Sequence, residues 1–337
     1  MNICNFFSSP IGLGHVTRDI AIVNNFEKIS TNFVTGSGAA KILGNLHFNF
    51  RDVYEPPSFI VENGNLKNPA RWLWNYYKYY KDCKSISEKI LYIDNPNLVI
   101  SDEDFASLTV AQTMGIPTVL ITDILETRFT RGLALLIEKK MNKSMQEISR
   151  KCDLVILPEH GDDIDNIKRV GPIVRTTNHS RDELREKFSF KGKTIVVSIG
   201  GTDAGVFLIE KALDSISKIN QDIDVILISG PAITRKFENV TNLGFVDNLH
   251  ELIFAADLLI SLAGKSTIDE ANAYGTPAIF IPIKGHFEQE DNAREQGFVF
   301  DDVQRLDSLI LEKLEEKRNP VNSDGAKTAS NIIEKLI

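Results

Sequence analysis

The sequence predicts an α/β protein of two doubly wound, parallel-sheet domains facing a central cleft. Three observations carry that prediction. Short apolar runs alternate with longer amphipathic stretches along the whole chain, the pattern of buried parallel strands joined by helices. The pattern breaks after residue 170 and then restarts. In each half a glycine turn follows an apolar run and opens into a helical stretch, an arrangement that aims backbone N–H groups and a helix dipole at an anion.

In the first half, residues 3–7, 32–35, 98–101, 118–122 and 154–157 read as strands. The stretch Gly171-Pro172-Ile173-Val174-Arg175-Thr176-Thr177-Asn178-His179 is polar and follows a Gly-Pro turn, so it reads as the start of a linker. Residues 194–199, 224–229, 258–261 and 278–282 read as the strands of the second half. The expected division is a first domain over 1–170, a linker over 171–192 and a second domain over 193–318. Residues 319–337, after the break at Asn319-Pro320, form a C-terminal helix expected to pack back on the first domain.

With 337 residues the chain exceeds the usual single domain. Hydrophobic content of 42% and charged content of 25% are ordinary, which excludes collagen-like, disordered and disulfide-scaffold classes. A net charge of -8 argues against nucleic acid as a partner. Cys4, Cys83 and Cys152 are odd in number and lack ligand spacing, so reduced thiols are expected, with no metal and no cofactor. Residues 1–7 lack the charged start of a signal peptide, and no apolar run approaches the ~18 residues that span a bilayer. The expected location is cytoplasmic.

Gly12 and Gly14 allow a tight turn after the first strand, and His15 then stands where the next helix begins, with Arg18 one turn on. A histidine there suits a base or a phosphate contact, because its ordinary pKa lies near neutrality; the competing reading is a capped βα turn. Gly200-Gly201-Thr202 repeats the logic in the second half, with Thr202 as phosphate donor or N-cap. Gly264-Lys265-Ser266-Thr267 invites a P-loop reading, but the first glycine of that motif would fall at Leu259. What remains is a glycine turn opening a helix, with Glu270 one turn on, where a carboxylate can accept both hydroxyls of a ribose.

Asp102-Glu103-Asp104 follows a strand and resembles the Asp-x-Asp metal clamp of one class of sugar transferases; Asp102 is the candidate base, with a metal the weaker reading. Residues 67–84 concentrate aromatic and basic side chains. Arg71, Trp72, Trp74, Tyr76 and Tyr77 are the candidates for contact with a membrane or an acceptor, against the alternative that the rings pack inside. Leu133, Leu135, Leu136 and Ile137 with Lys139, Lys140 and Lys143 could share that face.

These residues together resemble the MurG-type glycosyltransferases of family 28, GT-B enzymes with two Rossmann-like domains, and especially archaeal relatives with a GLGHxTR opening. The likeness is strongest from Ser261 to Ala293, through Glu270, Gly275-Thr276-Pro277 and Gly285-His286-Phe287-Glu288-Gln289-Glu290-Asp291-Asn292-Ala293. The resemblance implies an inverting, metal-independent transfer of an N-acetylhexosamine or hexose from a UDP-sugar to a hydroxyl of a lipid-linked or soluble glycan. An anionic surface at the inner face of the cell membrane would be a further partner. It also implies that Glu270 holds the ribose, Gln289 and Glu288 the donor sugar, and Gly200, Gly201, Thr202 and Ser266 the diphosphate. Phe245 and Val246 would read the uracil, and Arg175 would lie near the nucleotide. His15 matches the histidine of the family's first glycine loop. Gly14-His15-Val16-Thr17-Arg18 is also similar to nucleotide-sugar hydrolases of pseudaminic-acid synthesis, and a UDP-N-acetylglucosamine 2-epimerase is the other alternative.

Overall fold

The computed structural model describes residues 2–130, 132, 134–201, 203–230, 233, 237 and 240–337. Thr202 and Leu133, both singled out in the sequence, lie outside the described residues. The chain forms two compact units. The first comprises the chain up to Phe59, Asn68–Val174 and Ser323–Ile337; the second comprises Ile60–Lys67 and Arg175–Asn322.

In chain order the strands are β1 (Asn2–Ser8), β2 (Ile29–Thr35), β3 (Phe50–Asp52), β4 (Ile60–Glu62), β5 (Asn65–Lys67), β6 (Leu98–Asp102) and β7 (Thr118–Ile121). They continue as β8 (Leu154–Leu157), β9 (Ile167–Arg169), β10 (Lys193–Ser198), β11 (Ile223–Ile228), β12 (Thr241–Asn242), β13 (Leu258–Leu262) and β14 (Ala278–Ile281). The helices are α1 (Gly14–Val23), α2 (Ser37–Asn45), α3 (Pro69–Asp94), α4 (Phe105–Met114), α5 (Ala134–Lys151) and α6 (Arg181–Lys187). Then follow α7 (Val206–Ser217), α8 (Leu249–Ala255), α9 (Lys265–Tyr274), α10 (Phe287–Glu295), α11 (Leu306–Leu314) and α12 (Gly325–Ile333).

The first unit's sheet runs β3-β2-β1-β6-β7-β8-β9 and is parallel throughout. Its central strands are buried on both faces, which is why they read as continuous apolar runs rather than alternating ones. Phe6 of β1 stacks on Phe33 of β2 with ring centroids 5.2 Å apart. The second unit's sheet runs β12-β11-β10-β13-β14, also parallel. In each sheet the strand order reverses once, between β1 and β6 in the first and between β10 and β13 in the second. Ligands of open parallel sheets bind at the carboxyl ends of the strands flanking such a reversal.

The structure departs from the expected division in two places. Residues 175–192 are not a free linker: they belong to the second unit, and Ser180 and Glu183 close a capping box that starts α6. The hairpin β4–β5 lies within the span expected of the first domain but belongs to the second unit, where Leu66 N–H donates to Lys284 O and Lys284 N–H to Gly64 O. At the C-terminus α12 packs on α1 within the first unit. Ser330 Oγ donates to Asn25 O, and Glu334 Oε1 accepts from the N–H groups of Glu27 and Lys28. Gly325 is needed there, because a Cβ would stand 2.5 Å from Gly171 O.

Candidate active site

Each unit carries one centre at its sheet reversal. In the first, β1 ends at Ser8 and β6 at Asp102, paired in register. The loop after β1 turns at Gly12, whose φ of +86° is a glycine conformation, and delivers His15 to the first turn of α1. Arg18, three residues on, lies on the same helical face. Its Nε and Nη2 reach the two oxygens of Asp102 at 2.5 Å each, and Nη1 reaches Asp123 Oδ1 at 2.6 Å. His15 Nδ1 is 2.9 Å from Asp102 Oδ1, which commits that nitrogen and leaves Nε2 for chemistry.

Glu103 follows Asp102 with φ of +58°, a sparsely populated conformation for a residue with a side chain. Its Oε1 is held by Thr122 Oγ1 at 2.9 Å and Asp123 N–H at 3.3 Å, and its Oε2 faces His15 Nε2 at 3.9 Å. Burial opposes the charge on His15, but Asp102, by its charge and hydrogen bond, and Glu103 outweigh it and raise the imidazole to about 9. Burial, reinforced by Asp123 and Asp102 against the opposing pull of His15 and Arg18, lifts Glu103 to about 8. Asp102 moves the other way. Although burial penalises its charge, Arg18 and His15 hold it well below the usual carboxylate range.

That finding corrects the expectation of Asp102 as base. Its carboxylate is wholly buried, both oxygens are engaged by Arg18, and it is too weak a base to take a proton. It positions His15 instead. Against it lies Asp19, wholly buried, whose pKa is pushed well up by burial and by the charge of Asp102. His15, Asp102 and Glu103 offer ligand atoms within 4.8 Å of one another. A metal fits poorly among them, because Arg18 already neutralises Asp102. Asp104 takes no part, since it caps α4 and accepts from Tyr54.

In the second unit, β10 ends in a loop where Gly200 has φ of +78° and lies so close to the next loop that a Cβ on Gly230 would meet Gly200 O at 2.3 Å. β13 ends at Leu262, and Gly264 is the N-cap residue of α9 and, being glycine, has no side chain to cap it. Lys265, expected among the donor contacts, is turned along the helix onto Asp269, 2.5 Å from both oxygens. Ser266 and Thr267 lie in the first turn.

Glu270, 4% exposed, accepts from Arg175 Nε at 2.9 Å, and Arg175 Nη1 donates to Asp247 O at 2.5 Å. The structure thus ties Arg175, Glu270 and the loop of Phe245 and Val246 together. Gln289 and Glu288 lie in the first turn of α10. Gln289 Oε1 accepts from Ile283 N–H, and Asn292 of the same helix donates to Ala263 O beside the Gly264 turn.

The aromatic-basic segment divides by helical phase. Trp72 is not a surface contact: its ring stacks on Phe59 at 4.4 Å and Tyr76 at 5.2 Å, and its N–H donates to Pro57 O. Tyr76 is half-buried on the same face of α3. Arg71, Trp74 and Tyr77 are exposed, with Lys78 over the Trp74 ring and Lys81 over Tyr77. On α5, Leu135, Leu136 and Ile137 are exposed. Among the described residues no helix is long and apolar enough to cross a membrane.

Three residues of the first centre, Arg18, Glu103 and Asp123, were not among the expected site residues. Arg18 was signalled by its helical spacing from His15. Asp123 was signalled by its place after a buried strand, equivalent to that of Asp102.

Residues 194–335 match the Glycosyltransferase family 28 C-terminal domain. An uncharacterized glycosyltransferase of Methanopyrus kandleri is 28% identical over 58% of this chain, and the match spans only 59% of that relative's length. A UDP-N-acetylglucosamine--N-acetylmuramyl-(pentapeptide) pyrophosphoryl-undecaprenol N-acetylglucosamine transferase of Desulforamulus reducens is 25% identical over 83% of this chain and 79% of its own. Among solved structures, the glycotransferase of kitacinnamycin superposes with a TM-score of 0.68 at 12% identity, covering 99% of this chain and 98% of that one. MurG of Acinetobacter baumannii superposes at 0.55 and 14%, covering 99% and 100%. Two Rossmann-like units with these neighbours define the GT-B class. Within that fold class residues 194–335 match the family 28 C-terminal domain, and the chain is similar to MurG-like glycosyltransferases.

Proposed function

We propose that this protein transfers a sugar, an N-acetylhexosamine or hexose, from a UDP-sugar to an acceptor hydroxyl, with inversion and without metal. The observation that carries the reading is the second unit's reversal point. Two glycine turns and a buried carboxylate held by Arg175 stand in a domain that matches family 28. In this reading Glu270 accepts the ribose hydroxyls, Phe245 and Val246 flank the base, and the amides after Gly200 and Gly264 receive the diphosphate. Gln289 and Glu288 bind the sugar. Release of the Gln289 carbonyl from Ile283 is part of that step.

The first unit supplies the proton acceptor. A single displacement needs the acceptor hydroxyl to lose its proton as the bond to the anomeric carbon forms, and the His15 centre holds groups that ionise between neutrality and about pH 9. The acceptor is a glycan, and the exposed Trp74, Tyr77, Leu136 and Ile137 beside lysines support a lipid-linked one at the inner face of an anionic membrane.

A thermal-shift series with UDP, UDP-sugars and other nucleoside diphosphates tests the donor. UDP at a hundred times its Kd should stabilise the fold by about 2.7 kcal/mol. Equal shifts from all nucleotides, or none, would remove the donor assignment. Coupled assays then separate the alternatives: UDP release in water as fast as with acceptor identifies a hydrolase, and a manno epimer seen by NMR identifies a 2-epimerase.

A further inference from the structure

The His15 centre contains two groups able to take a proton, and their surroundings differ. His15 is locked as an ion-pair member. Its Nδ1 faces Asp102, and Asp102 is itself clamped by the guanidinium of Arg18. Among the described residues Glu103 is anchored through its Oε1, and its Oε2 looks toward His15 Nε2 across 3.9 Å. That gap is too long for a direct hydrogen bond, whereas a hydroxyl oxygen fits about 2.8 Å from both atoms. The strained backbone at Glu103 serves no turn chemistry that a glycine would not serve better, and strain of this kind persists where a side chain must be aimed.

We propose that Glu103 is the general base of this protein, and that His15 acts as the positively charged neighbour that holds the acceptor hydroxyl and keeps the Glu103 carboxylate ionised when the acceptor is bound. The inference rests on the transferase reading above. In the reaction the acceptor O–H bond breaks and its proton passes to Glu103 Oε2. The oxygen's electron pair forms the new bond to the anomeric carbon, and the bond from that carbon to the diphosphate breaks with its electron pair leaving on UDP. The charged groups around Glu103 are His15 and Arg18 from α1, Asp102 from β6 and Asp123 after β7. The first two favour its carboxylate form and the last two oppose it. Asp19, its pKa pushed up by burial, lies behind Asp102. Glu103 therefore gains and loses its proton near pH 8, close to where a base for a neutral hydroxyl works best, while His15 stays protonated to about 9.

The test is the pH dependence of UDP release from UDP-N-acetylglucosamine, with water as acceptor, in the full chain and in Glu103→Gln and His15→Gln, alongside UDP affinity by calorimetry. Glu103→Gln should lose about a hundredfold or more in kcat, keep the wild-type Kd for UDP, and lose the ascending limb near pH 8. His15→Gln should be slower but keep an ascending limb, moved to higher pH. The reverse pattern, a limb kept in Glu103→Gln and lost in His15→Gln, assigns the base to His15 and overturns the proposal. Should either variant fail to fold, NMR titration of the His15 ring in the wild type decides: titration at or above pH 8 is expected, and titration below 7 overturns it. Wild-type protein that binds no UDP by calorimetry would fail the transferase reading itself. Wild-type turnover with full activity in Glu103→Gln would fail this inference alone.

Discussion

His15 and Glu103 both hold protons more tightly in the fold than free side chains do, and both effects act on stability in one direction. For His15 the folded value of about 9 exceeds the ordinary 6.5, so its stabilisation is complete below pH 6.5 and is lost as pH rises through 9. For Glu103 the folded value of about 8 exceeds 4.5, so the unfolded chain releases that proton first and the fold is penalised from pH 4.5 up to 8. The unfolding free energy should fall on the order of 5 kcal/mol between pH 6.5 and 9, at ~1.4 kcal/mol for each tenfold difference in proton affinity between the folded and unfolded chain. Denaturant titrations at a series of pH values measure this directly. A flat profile over that window would mean that the buried network is not charged as described. His15 was legible in the sequence because a glycine turn announces it. Glu103 was not, because a triplet of acids says nothing about which carboxylate enters the helix cap, which the ion pair and which the open side.

At the scale of elements, the sequence is most readable where burial is complete. β8 falls where its apolar run predicts, and the other central strands differ by a few residues at their ends, because strands covered on both faces need unbroken apolar runs. The edge strands β3, β9 and β12 are two or three residues long and carry no such run. The β4–β5 hairpin did leave a signal in Asn63-Gly64, both at positive φ, but its strands are too short to show alternation. The helix α6 likewise left Ser180 and Glu183 as its capping box inside a stretch that looked like linker. On α3 the helical phase decides which aromatics face water. Trp74→Ala with Tyr77→Ala should weaken co-sedimentation with phosphatidylglycerol vesicles severalfold while leaving the melting temperature unchanged, since both rings are exposed. Equal pelleting of wild type and variant would remove α3 from any membrane contact.

For the whole molecule, two parallel sheets with one reversal each place both centres without further instruction. The sequence made the doubling visible through its restarted pattern. It did not show that the β4–β5 hairpin is assigned to the second unit, although the return of the last helix, α12, to the first was expected. Those assignments depend on long-range contacts such as Leu66 with Lys284 and Ser330 with Asn25. The proposed labour follows the same division, the nucleotide held by the second unit and the proton handled by the first. Residues from each unit should therefore affect separate kinetic quantities.

The steady-state kinetics of UDP-sugar turnover in His15→Ala and Glu270→Ala, measured beside UDP binding by calorimetry, test that division most directly. Loss of the ribose contact in Glu270→Ala should weaken UDP binding at least tenfold, about 1.4 kcal/mol. His15→Ala should bind UDP as the wild type does and lose at least tenfold in kcat. Unaltered nucleotide affinity in Glu270→Ala together with unaltered kcat in His15→Ala would contradict the account.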